Sequence, residues 1–245
     1  MTLDLTKKVQ LVNVTLEKKK VNVPEVLGDI VIAEDISGSM SGRFRDGVVQ
    51  ELITRLLAIG MVLDQDKSIN VYAFNSGSHE IGSATEKNID GFVDNVFLRK
   101  VRVNGGTNYS PVMRDIVNKF GNKKESKSAL TKLFGKRGVE TPSTHPTLVF
   151  FITDGELSWS DKEETERIIR STSDQPIFWQ FVGIGGESGF EFLKSLDDMS
   201  GRVVDNADFF EVKDPSAVSD EWFYDNILNE FPDWLNEAKS RGILL

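Results

Sequence analysis

The sequence predicts an α/β fold: a doubly wound, mostly parallel sheet with helices on both faces. Two observations carry this reading. Three short, almost wholly apolar runs lie at residues 29–34, 147–153 and 176–183. Strands buried on both faces read as such runs, and parallel sheets are where they occur. Between the runs lie stretches with apolar residues at three- and four-residue spacing, so strands alternate with helices. The 245 residues are enough for one large domain of this kind.

Taken in order, Val12, Val14 and Leu16 alternate with Asn13, Thr15 and Glu17 and predict a strand. Lys18 to Lys20 end it, and Pro24 separates it from the next element. Residues 1–26 are therefore expected to form a short N-terminal β extension, with residues 27–245 as the main domain. Asp29 to Glu34 is a buried strand. Val48, Leu52, Leu56, Ile59 and Leu63 form one helical stripe, with Val49, Ile53 and Leu57 beside it. Ile69 to Phe74 is the next strand, and Ile81 lies on a short edge strand after the turn at 75–77. Ile89, Phe92, Val93 and Val96 predict a helix. Asn104 to Asn108 is a Gly-rich loop, and Ser110-Pro111 opens a helix carrying Val112, Ile116, Val117 and Phe120. Residues 121–145 read as a basic insertion. Thr147 to Thr153 is a strand, a helix follows from about Asp161, Pro176 to Gly183 is a strand, and Phe190 to Met199 is a helix. A short strand is expected at Arg202 to Asp205. From Ser219 to Lys239 the tail is helical, interrupted by Pro232.

Composition removes several functions. A net charge of −9 argues against binding nucleic acid through its phosphates, which needs a basic surface. The absence of cysteine excludes disulfides, thiolate metal sites and cysteine nucleophiles. The N-terminus lacks the apolar core of a signal peptide. No window approaches the ~20 apolar residues of a membrane span. A cytoplasmic protein is the expectation, with neither membrane nor nucleic acid as partner.

The chemistry concentrates where two apolar runs end. Asp35-Ile36-Ser37-Gly38-Ser39 follows the first run and puts a carboxylate and two hydroxyls on one tight turn. Asp154 follows the second run. In parallel sheets both ends face one edge, where ligands bind. Thr107 adds a hydroxyl from the Gly-rich loop. Such hard oxygens suit a hard divalent cation, Mg²⁺ above all, with Ca²⁺ or Mn²⁺ as alternatives.

Asp35, Ser37, Ser39, Thr107 and Asp154 together resemble the metal-ion-dependent adhesion site of von Willebrand factor A (VWA) domains, whose fold is a Rossmann-like α/β sheet. The resemblance implies that Ser37, Ser39 and Thr107 bind the cation directly. The two aspartates bind directly or through water, and a partner's carboxylate fills an open position. A narrower likeness covers nearly the whole chain. Asp35 to Met40, Gly106 to Pro111, Phe151 to Glu156, Pro176 to Gly185, Phe231 to Leu235 and the N-terminal segment from Leu16 look like the TerF-type A domains of bacterial tellurium and stress resistance operons. This implies metal-dependent protein binding, with an acidic side chain from the partner. The oligomeric state is left open.

Rival motifs are weaker. Gly38-Ser39-Met40-Ser41-Gly42 carries Met where a nucleophile elbow needs Ser. His79 and His145 fall in expected loops. The Gly-rich stretch 183–189 has Ser188 where the dinucleotide loop needs its last glycine. Ser37 stands where a haloacid-dehalogenase-type phosphatase would carry its second Asp. A metal-assisted hydrolase of anionic substrates, with Glu156 or Asp161 as base, is the enzyme alternative. Trp159 is a candidate partner anchor at the same edge. The aromatics from Phe209 to Trp234 read as core beneath the C-terminal helices.

Overall fold

In a computed structural model, residues 3–122, 145–155, 157–185 and 189–245 are described. The chain begins with helix α1 (Leu3–Lys18), followed by strand β1 (Asp29–Asp35), a short helix α2 (Ser41–Arg45) and helix α3 (Val48–Leu63). Strands β2 (Ser68–Phe74) and β3 (Ser78–Thr85) come next. A π-helical turn at Val93–Phe97 runs into α4 (Leu98–Lys100), then α5 (Ser110–Phe120). Strands β4 (Thr147–Thr153), β5 (Ile177–Ile184) and β6 (Ala207–Val212) alternate with α6 (Trp159–Thr172) and α7 (Glu191–Asp197). The chain closes with α8 (Asp220–Ile227) and α9 (Phe231–Ser240).

The six strands form one sheet in the order β3-β2-β1-β4-β5-β6. Only β3 runs antiparallel; the others are parallel. This is the doubly wound α/β architecture the apolar runs predict. From β1 the chain winds outward through β2 and β3, and it returns to β4 to wind the other way. The switch point therefore lies between β1 and β4, which pair directly. Ligand crevices form at such points.

Alternate residues of each strand serve two cores. Ile30 and Ile32 join Leu52, Leu56, Phe223, Phe231 and Trp234 on one face, with Leu5, Val12 and Leu16 of α1. Val31 and Ala33 join Tyr109, Met113, Ile169 and Leu193 on the other. Near the rim of the first face, α3 passes close to the sheet. A Cβ on Gly60 would lie 2.5 Å from Ile69 Cγ2 and 2.7 Å from the Ser68 carbonyl oxygen.

Four expectations need correction. The N-terminal β extension is instead helix α1. Leu5, Val12 and Leu16 recur at helical spacing and are buried, whereas Val14 is largely exposed. The longer stripe outweighs a five-residue alternation. Arg202–Asp205 is not a strand; β6 starts at Ala207. The Arg202 guanidinium donates to the carbonyls of Met199 and Asp197, which curls the segment. Pro232 does not interrupt a helix but sits in the first turn of α9, where its missing N–H costs nothing. His79, expected in a loop, is on β3 and exposed. Of the C-terminal aromatics, Phe223, Tyr224, Phe231 and Trp234 are buried, while Trp222 is half exposed. Residues 123–144 of the basic insertion lie outside the described residues.

Candidate metal centre

Asp35 is the last residue of β1 and is fully buried. Its two carboxylate oxygens have separate donors. The Ser37 backbone N–H donates to Oδ1 at 2.7 Å, which closes the tight turn. The Thr153 hydroxyl, at the end of β4, donates to Oδ2 at 2.7 Å. From this anchor a row of oxygens runs outward. Ser37 Oγ lies 3.1 Å from Ser39 Oγ, and Ser39 Oγ donates to Asp154 Oδ1 at 2.7 Å. Ser37 is buried, Asp154 half-buried and Ser39 exposed, so the row opens to solvent.

Thr107 reaches the same edge by its main chain. Asn104 N–H donates to the Ile36 carbonyl, and Gly38 N–H to the Gly105 carbonyl, tying the loop to the Asp35–Ser39 turn. Gly105 has φ of 87°, a conformation glycine adopts without strain. On the far side the Ser158 N–H donates to the Thr107 carbonyl. Thr107 is thus held between the turn after β1 and the loop after β4. Its hydroxyl takes no part in the hydrogen bonds that join the other four residues.

A model of the family described as vWA-TerF-like, the vWA found in the TerF C terminus, matches residues 28–244. The chain belongs to this family. It is also similar to the uncharacterized protein YcbR of Bacillus subtilis (strain 168), 35% identical over 245 residues, covering 99% of this chain and 90% of that protein. Among solved structures, the SpRpn10 VWA domain is similar with a TM-score of 0.53 at 9% identity, over 84% of this chain and 95% of that one. Proximal thread matrix protein 1 from the mussel byssus has a TM-score of 0.50 at 15% identity, over 82% of this chain and 46% of that one. These two likenesses concern the fold.

In this VWA domain the donor set fits a hard dication. Neighbouring ligands on an octahedral Mg²⁺ at 2.0–2.1 Å stand about 2.9 Å apart. The Ser37–Ser39 and Ser39–Asp154 spacings bracket that value. Burial pushes Asp35 up to about 6, against the hydrogen bonds from Thr153 and Ser37, and the charge of Asp154 adds to the rise. Glu34, on the opposite face of β1, is fully buried, and among the described residues neither carboxyl oxygen has a hydrogen-bond partner. Burial, then the charges of Asp35 and Asp154, push it well above the usual carboxylate range.

Four residues that organise the VWA edge carry no mark of this role in the sequence motifs. Thr153 holds Asp35. Strand parity places both side chains on the same face of adjacent strands, which is a readable signal. Tyr109, fully buried, donates its hydroxyl to the Gly155 carbonyl at 2.8 Å and steadies the turn after Asp154. Asp161 is buried and accepts from Tyr109 N–H at 2.5 Å and Ser110 N–H at 3.0 Å, while its other oxygen accepts from Ser110 Oγ. It caps the start of α5 and fixes the exit of the Thr107 loop. Asn75 bridges from β2: its side chain donates to the Asn104 carbonyl, and its own carbonyl accepts from Asn108. Trp159, the first residue of α6, is 83% exposed, with Lys162 Nζ 5.1 Å from its ring centroid. Glu156 lies outside the described residues.

Proposed function

We propose that this VWA domain binds a protein partner in a divalent-cation-dependent manner. Asp35, Ser37, Ser39, Thr107 and Asp154 would hold Mg²⁺, and an acidic side chain of the partner would complete the shell. The observation that carries the reading is the row of oxygens from Ser37 through Ser39 to Asp154, buried at Ser37, exposed at Ser39 and half-buried at Asp154. Two of those three groups are neutral hydroxyls. A site with so few anionic ligands leaves a dication with net attraction for an incoming carboxylate. Bound Mg²⁺ supplies charge and exchangeable water positions.

Each residue then has a task. Asp35, fixed by Ser37 N–H and Thr153, anchors the floor. Ser37 and Ser39 present hydroxyls along the turn. Asp154 closes the row from β4, and Thr107 would add its hydroxyl from the loop held between the two turns. Trp159 offers the partner an apolar contact beside it, and Lys162 at its ring adds positive charge for an acidic partner. No described helix is long and apolar enough to cross a membrane. A cytoplasmic scaffold in a bacterial tellurium or stress resistance system is the setting we infer, supported by the family match alone. Adhesion is preferred to metal-assisted hydrolysis because Asp161, a base candidate, has both oxygens engaged in capping α5.

The test is capture of partners from bacterial lysate by the full chain, with Mg²⁺ or with chelator. Partners should be retained only with Mg²⁺, and Asp35→Ala should lose them while melting cooperatively. Equal capture with chelator sinks the proposal.

A further inference from the structure

At the edge of the sheet opposite Asp35, a second set of acidic side chains converges. Asp208 is the second residue of β6, at the amino ends of the parallel strands, and is buried. Asp197 ends α7, and Glu230 immediately precedes α9. One carboxylate oxygen from each lies within 4.8 Å of the others. Among the described residues, none of the three carboxylates makes an ion pair. Arg202, the basic group nearby, is engaged by Asp205 at 2.6 Å and by the carbonyls of Asp197 and Met199.

An acidic cluster alone specifies nothing. Here a second, independent group points to a ligand. Gln180 stands in the middle of β5, an otherwise apolar strand, and is fully buried. It pairs in register with Asp208 and shares its face of the sheet. Its amide lies beside the Asp208 carboxyl. Yet among the described residues no hydrogen bond of good geometry reaches Gln180 Oε1 or Nε2. A buried amide with both atoms unmatched carries the cost of a lost hydrogen bond at each, so its place beside three carboxylates calls for a ligand.

We propose that Asp197, Asp208 and Glu230, with the Gln180 amide turned to present its oxygen, form a second divalent-cation site, suited to Ca²⁺, remote from the Asp35 edge. Oxygens within 4.8 Å of one another can share one ion at the 2.3–2.6 Å of Ca²⁺. The irregular set of carboxylates and one amide also matches the tolerance of Ca²⁺ for uneven geometry. A cavity of about 330 Å³, lined by Asp205, Asn229, Glu230, Asp233, Trp234 and Glu237, reaches Glu230 and gives a hydrated ion a way in. A cation would offset the charge of three carboxylates held this close together. Bound there, it would join the end of α7, the start of β6 and the start of α9.

The experiment measures Ca²⁺ binding to the full chain by calorimetry and thermal melting. The Asp35→Ala chain, in which the first site is disabled, is expected to take up one Ca²⁺ below about 5 mM and to gain several degrees in melting midpoint. Adding Asp208→Asn and Glu230→Gln should weaken that uptake at least tenfold and abolish the gain. Without Asp35→Ala, the same pair should leave Mg²⁺ binding at the first site unchanged. Asp197→Asn, a half-buried position, serves if the pair melts non-cooperatively, and should weaken uptake likewise. No Ca²⁺ uptake by the Asp35→Ala chain, or uptake indifferent to these substitutions, overturns the proposal.

Discussion

The Thr153 hydroxyl donates to Asp35 Oδ2 at 2.7 Å across the β1–β4 switch point, and so locks the carboxylate that anchors the candidate metal centre. The opposite oxygen is held by Ser37 N–H. Neither contact would touch a cation, yet together they set the direction of Asp35.

Thr153→Val keeps the shape and removes the donor. It leaves a buried carboxylate oxygen short of one hydrogen bond, a loss of about 1–3 kcal/mol. Supporting hydrogen bonds of this kind are worth roughly 10–100-fold in metal affinity. Chemical denaturation and Mg²⁺ calorimetry on the variant measure both losses. A variant with native Mg²⁺ affinity would show that Asp35 is oriented by the turn alone.

Asp161 supports the site through the Thr107 loop. It accepts from two backbone N–H groups and one hydroxyl at the start of α5. Asp161→Ala strands those donors and is expected to lower stability by about 2–3 kcal/mol. Because the cap fixes the exit of the loop carrying Thr107, metal affinity should fall as well. Asp161→Asn, which keeps acceptor capacity at one oxygen, should lose less of both. Urea unfolding with and without Mg²⁺ separates the two effects.

The parts of this molecule that are legible in its sequence are those written in continuous apolar runs. β1, β4 and β5 carry almost nothing polar until they end, so Asp35 and Asp154 announce the edge where they meet. α1 reads as a strand because Val12, Val14 and Leu16 alternate over too short a span, while the deciding residue, Leu5, lies two helical turns upstream. The role of Asp161 is unreadable for a different reason. Its partners are Tyr109 and Ser110, some fifty residues away, and nothing local marks a carboxylate whose oxygens are both in use. Gln180 hides inside an apolar run, where a single amide looks like a tolerated exception until its lack of partners is seen.

α1 is docked by charge as well as by its apolar stripe. Lys8, almost fully buried, donates to Asp4 and to Asp220 of α8, both at 3.1 Å. Arg55 of α3 reaches Asp220 at 2.8 Å and Glu51 at 2.9 Å, completing the network. Lys8→Met is expected to cost about 1–3 kcal/mol, since Arg55 still compensates Asp220. Burial alone lowers the Lys8 ammonium, but the hydrogen bonds with Asp4 and Asp220 outweigh it and hold it above its ordinary 10.5. A raised folded-state value contributes stability below about pH 10.5 that is lost as pH rises through the folded value. Melting scans above that pH should show a steeper decline in the native chain than in Lys8→Met.

Trp159 separates binding of the cation from binding of the partner. It is 83% exposed and contributes no core contact, so Trp159→Ala should change stability by less than about 0.5 kcal/mol. Its indole stands on the first turn of α6, directly after Ser158, whose N–H holds the Thr107 loop. A partner carboxylate reaching the candidate site must therefore lay its neighbouring residues near this ring. Exposed tryptophans at such positions anchor interfaces, and truncation of an anchor costs about 2 kcal/mol, roughly a 30-fold loss of affinity. The expected outcome is native Mg²⁺ affinity with partner capture weakened about 30-fold, most of it in the dissociation rate. Lys162→Ala, which removes the cation beside the ring, should weaken capture less and mainly at low salt. Surface plasmon resonance on captured partner, run in Mg²⁺ at two ionic strengths, reads all of these at once. Unchanged capture by Trp159→Ala would place the partner on the other side of the oxygen row, over Gly105 and Gly106.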